Sequence, residues 1–170
     1  MKKLLLSLVM LIACMSSFGQ NMTDLTNLFK SKPNAQYMIV PQGMLKMLVG
    51  QMMDRSEVSS KMSKMNASKD DINKIVEKID SVVYLSLDDC SEDVKTTFND
   101  KTKDISSYGY NKVSEETGKG SIYSKEKNGN VSEVIVFINQ GGNCDFIQFF
   151  GNIKPDDVSA ILNKVSNLKL

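Results

Sequence analysis

YNKVSEETGKGSIYSKEKNGNVSEVIVFINQGGNCDFIQFF, residues 110–150, is where the chain changes from a helical to an alternating period. Tyr110 to Glu116, Ser121 to Lys127, Val131 to Ile138 and Cys144 to Phe150 read as four strands. They are separated by Gly118-Lys119-Gly120, Asn128-Gly129 and Gly141-Gly142-Asn143, residues that tolerate the positive φ of tight hairpin turns. The stretch therefore predicts a four-stranded meander.

The residues before it alternate between helix and strand. Thr23 is placed to cap a short helix that carries Leu25, Leu28 and Phe29 and closes before Pro33. Tyr37-Met38-Ile39-Val40, bounded by Pro33 and Pro41, reads as a strand. From Met44 to Met53 the residues Met44, Leu45, Met47, Leu48, Val49, Met52 and Met53 sweep one broad helical face, as a packed helix requires. Ser68 caps a further helix, with Asp70 and Asp71 in its first turn and Ile72, Ile75, Val76 and Ile79 facing inward. Val82 to Leu87 is a nearly continuous bulky run, suited to a strand covered on both sides. Ser91 then opens a helix through Glu92 and Asp93, with Val94, Phe98 and Ile105 on one stripe and Gly109 at its end. Beyond the meander, Pro155 begins a last helix along which Val158, Ile161, Leu162, Val165 and Leu168 line up. The early strand–helix–strand crossover followed by the meander predicts an α+β fold with a mixed, mostly antiparallel sheet and helices packed on it.

The amino terminus reads as an export signal. Lys2 and Lys3 precede the apolar run Leu4 to Ala13, and small residues follow. The run is about half the roughly 20 residues needed to cross a bilayer, so no transmembrane span is expected. Cleavage before Gln20, giving a leader over 1–19 and a single domain over 20–170, suits the usual leader length. The competing reading takes Leu11-Ile12-Ala13-Cys14 as a lipobox, with Cys14 lipidated and the protein tethered to a membrane. Either way the chain is addressed to the periplasm or cell envelope.

Composition narrows the function. The 170 residues include no His, no Trp and a single arginine, Arg55. The usual general base, the commonest zinc ligand and the bidentate phosphate fork are thereby missing or nearly so. Loss of Lys2 and Lys3 with the leader takes the 21 basic side chains to 19, against 20 acidic ones. A near-neutral mature chain carries no electrostatic footprint for nucleic acid. Neither an enzyme nor a cofactor is expected, and the reading is of a binding or interaction module.

Candidate sites follow from the remaining residues. Met44, Met47, Leu48 and Met52 offer an apolar face for an envelope protein partner or, alternatively, for a lipid-like ligand. The spacing of three in Met44 with Met47 and Met62 with Met65 would suit a soft metal ion, but a core role explains it better, and no metal site is expected. Asp88, Asp89, Glu92 and Asp93 lack the ligand pattern of a calcium loop and read as helix-start charge. Gly118-Lys119-Gly120-Ser121 lacks the upstream glycine of a phosphate loop. Cys90 and Cys144 are a candidate disulfide, placed at one end of the sheet if their strands are antiparallel neighbours. Such a bridge would close about 54 residues and contribute about 4 kcal/mol.

Ser132 to Ile138, then Asp145 to Ile153 leading toward the final helix, resemble the ending of the Bacteroidetes domain-of-unknown-function 4252 family. Met44-Leu45-Lys46-Met47-Leu48 and Val82 to Leu87 also sit where that family carries its pattern. The resemblance implies a small exported envelope protein and brings no catalytic residues with it.

Overall fold

The computed structural model describes residues 22–53, 68–116, 120–139 and 142–154. The predicted leader with Cys14, the Met62 and Met65 pair, and the helix read from Pro155 onward lie outside these residues.

The described chain begins with helix α1 (Met22–Phe29), strand β1 (Gln36–Pro41) and helix α2 (Gln42–Met53). Helix α3 (Lys69–Val76) leads to strand β2 (Ile79–Ser86), and helix α4 (Glu92–Thr102) is followed by a 3₁₀ turn over Ile105–Tyr108. Strands β3 (Asn111–Glu116), β4 (Gly120–Lys127), β5 (Asn130–Ile138) and β6 (Asp145–Ile153) complete it. The six strands form one sheet in the order β1-β2-β6-β5-β4-β3. The predicted meander is present, and Asn128 (φ 55°) with Gly129 (φ 79°) supplies the positive-φ turn between β4 and β5.

The α+β class stands, with one correction to the sheet. All five strand pairings are antiparallel, including β1 with β2, where a crossover and a mixed sheet were expected. The reason lies in the register: Pro41 at the end of β1 pairs with Ser81 near the start of β2, so the chain re-enters the sheet at the end it left and makes no crossover.

Local chemistry explains most element boundaries. The Ser68 hydroxyl accepts from the Asp71 N–H at 3.1 Å while the Asp71 carboxylate accepts from the Ser68 N–H at 3.2 Å, a reciprocal capping box that starts α3. Ser91 occupies the equivalent place before α4, but its side chain makes no cap, and its carbonyl serves Val94 and Lys95 instead. Thr23 lies inside α1, because Met22 is buried and already helical. Ile79 opens β2 instead of ending α3. The helix predicted from Ser91 to Gly109 breaks after Thr102, and Gly109, at φ 82°, closes the 3₁₀ turn.

Each sheet face has its own core. On one, Leu85, Phe146 and Phe137 stand side by side across β2, β6 and β5 beneath α1 and α4. Phe98 of α4 meets Phe29 edge-on at 5.0 Å and Phe146 at 6.1 Å, locking both helices to the strands. Ile105 joins this cluster from the 3₁₀ turn. The other face carries Val40, Val82 and Val134, with Leu45 of α2 and Ile75 of α3 packed against them.

A bulge in β2 between Ile79 and Ser81 sits opposite Gly151, where the Lys78 carbonyl accepts from the Asn152 N–H at 3.0 Å. A Cβ on Gly151 would lie 2.1 Å from that carbonyl oxygen. Gly151→Ala should therefore lower stability by about 2–3 kcal/mol, while Gly50→Ala in α2, with nothing near its Cβ, should raise it by about 0.5–1 kcal/mol. Urea midpoints of the two variants check both signs.

Candidate functional site

Strand β1 and helix α2 form the surface of interest. Among the described strands β1 pairs with β2 alone, so it is a sheet edge. Its residues, Gln-Tyr-Met-Ile-Val-Pro, include no charge, whereas the opposite edge, β3, contains Lys112, Glu115 and Glu116. Charges on an edge deter pairing with another chain. By this criterion, among the described residues, Lys112 guards β3 while β1 carries no such charge.

Alternation in β1 sends Met38 and Ile39 to opposite sheet faces, and both are exposed, Ile39 at 54%. Helix α2 follows without a loop. It packs Leu45 against the buried cluster that includes Val40 and Ile79, and Met44, Met47 and Leu48 are exposed, Met47 at 56%. Five of the seven exposed large apolar residues thus fall between Met38 and Leu48, which singles out this surface from the rest of the described chain. Three of the four residues read from the sequence, Met44, Met47 and Leu48, are brought together here. The Met52 side chain lies outside the described residues. Sequence reading missed Met38 and Ile39, because a short apolar strand gives no sign of being an edge.

No helix among the described residues is long and apolar enough to cross a membrane. A shallow pocket of about 90 Å³, lined by Asp24, Leu25, Leu28 and Lys101, lies between α1 and α4. It is well below the roughly 300 Å³ of an ordinary small-molecule site.

The acidic cluster is occupied structurally. Asp88 accepts the Cys144 N–H. Asp89 accepts from Gln36 Nε2 at 3.4 Å through its carboxylate and from Asn34 Nδ2 at 3.2 Å through its backbone carbonyl. Glu92 pairs with Lys95 at 3.1 Å. These contacts tie the start of β1 and the start of β6 to the turn after β2. Among the described residues no three Cys, Asp or Glu side chains converge as metal ligands. Gly120 opens β4, so the glycine-rich stretch does lie between strands, although 118 and 119 are outside the described residues. Cys90 and Cys144 are both buried, with free thiols.

A second polar group went unread in the sequence. Gln148, only 1% exposed, donates from Nε2 to the Glu133 carboxylate at 2.7 Å and to the Tyr110 hydroxyl at 3.2 Å. Tyr110 itself donates to the same carboxylate. The signal was Gln148 at an inward position of an otherwise apolar strand, Phe146-Ile147-Gln148-Phe149. Burial, then the Glu133 carboxylate, raises the Tyr110 pKa far above the ordinary phenol value. Tyr110 is therefore a hydrogen-bond donor throughout the working pH range and no base. Gln148 Oε1 has no hydrogen-bond partner among the described residues.

The sign of the resulting pH dependence is fixed. A raised phenol pKa means that the unfolded chain releases this proton first, so the contribution to stability is intact below about pH 10 and declines above it. In the reduced chain Cys144 acts in the same direction, since burial first and Asp88 second push its thiol up to about 11. Stability of the reduced chain should fall between about pH 9 and 11, and Tyr110→Phe should flatten the part above about pH 10 while costing about 1 kcal/mol at pH 7. Denaturant midpoints measured across this range check it.

The family model described as a domain of unknown function (DUF4252) matches residues 29–161, from the end of α1 past the end of β6. The chain belongs to that family. No curated protein and no solved structure matches it.

Proposed function

We propose that this is an exported protein of the periplasm or cell envelope that works without catalysis, by non-covalent binding of an envelope protein. Its contact surface is the β1 edge with the outer face of α2. The concentration of exposed apolar side chains from Met38 to Leu48 carries this reading. Such a surface suits a partner that adds a strand to β1 and lays apolar side chains over Met44 and Met47. Methionine adapts its shape to a partner at little cost, which fits a surface of this kind. The leader-like Lys2-Lys3 and Leu4 to Ala13 segment supports export.

A lipid-like ligand is the second reading. It is favoured by Tyr84, Ile147, Val136 and Ile122, a half-buried row continuing from Met38 across one sheet face. An acyl chain laid along that row would reach Met38 and the α2 face.

Ile39 and Met38 separate the two readings, because they point to opposite faces. The tagged full chain, isolated from the envelope fraction, should co-elute with a protein that Ile39→Lys and Met47→Lys each reduce at least tenfold, about 1.4 kcal/mol of binding. Met38→Lys should act similarly, since it sits on the same edge. If lipid co-elutes and only Met38→Lys and Met47→Lys release it, the second reading replaces the first. Retention of every co-eluting species by all three variants contradicts both.

A further inference from the structure

We propose that Cys90 and Cys144 form a disulfide as the chain folds, a bond that folding then encloses. Leu87 holds both residues: its N–H donates to the Cys144 carbonyl at 2.9 Å, and its carbonyl accepts from the Cys90 N–H at 2.9 Å. The first bond continues the β2–β6 ladder one step past the Ser86–Asp145 pair, so Cys144 stands across from Leu87. The second closes a turn from Leu87 to Cys90 whose ends lie within about 7 Å. Asp88, inside that turn, takes the Cys144 N–H and fixes the turn against β6. Both side chains then enter one buried cluster with Leu85, Leu87 and Phe146. The Cys90 thiol donates to the Pro33 carbonyl at 3.2 Å, so bonding requires it to swing away from that oxygen.

The electron acceptor is a small-molecule or protein disulfide. One cysteine thiolate attacks an oxidant sulfur, expelling half of the oxidant as a thiolate and leaving a mixed disulfide. The second cysteine thiolate attacks the protein sulfur of that mixed disulfide and expels the other half. One net S–S bond is made and one broken, two electrons pass to the oxidant, and its two thiols take up the two protons. In the folded chain burial raises the pKa of both thiols, and the thiolates needed for attack are scarce. Bonding therefore belongs to the folding chain.

The full chain, denatured and reduced, is refolded in a mixture of oxidised and reduced glutathione, quenched with iodoacetamide and mapped by peptide mass, with Cys14 read separately. The expected product joins the Cys90 and Cys144 peptides and melts about 10 °C above the chain refolded in excess reductant. Folded, reduced chain given the same mixture should form that product about tenfold more slowly or worse. Complete alkylation of both residues after oxidative refolding, or separate glutathione adducts on each, overturns the proposal. Cys90→Ser and Cys144→Ser, singly and together, should each remove the reductant-sensitive part of the melting temperature. A reductant response that survives in the double variant also overturns it.

Discussion

The ladder between β2 and β6 joins two parts of the chain that are far apart in sequence. Val82 to Ser86 pair with Asp145 to Phe149, which sets Leu85 beside Phe146 on one face and Val82 beside Phe149 on the other. An antiparallel register with one side fixed allows no slip of one residue, since a slip would send every apolar side chain to the wrong face. On one side of this ladder lies the meander, and on the other β1 follows β2 to the edge. The cores on both faces are assembled across it.

The distribution of helices follows from that seam. Helices α1 and α4 meet over the row of Leu85, Phe146 and Phe137, with Phe98 as the common contact. Among the described residues helices α2 and α3 pack on the other face through Leu45 and Ile75. Because α2 leaves β1 without a loop, it must sit near the sheet edge, and only part of its apolar circumference finds strands to cover. Met44, Met47 and Leu48 are exposed for that reason, and they adjoin the uncharged strand that ends the sheet.

Much of this was legible in the residues. The alternation in Val131 to Ile138, the Asn128-Gly129 turn and the Ser68–Asp71 box each specify their local structure, since a tight turn or a cap depends on a few neighbouring groups. Phe98 and Ile105 were correctly read as facing one way, although the helix between them breaks. Strand order was not legible, because pairing β2 with β6 joins residues some 60 positions apart and leaves no local mark. The antiparallel return from β1 to β2 was not legible either, because it shows only in the register that sets Pro41 beside Ser81. The apolar face of α2 was seen as a face, but how much of it the sheet would cover depends on where the sheet ends. Gln148 was passed over because a single polar residue in an apolar strand announces neither Glu133 nor Tyr110 as its partner.

A closed interior next to an open, uncharged edge is what the account requires of this molecule, and amide hydrogen exchange on the isolated full chain reads it residue by residue. The slowest amides should lie in β2 and β6, while alternate amides of β1, those turned away from β2, should exchange orders of magnitude faster. Uniform protection along β1 equal to that of β2, or rapid exchange throughout β6, would contradict the account.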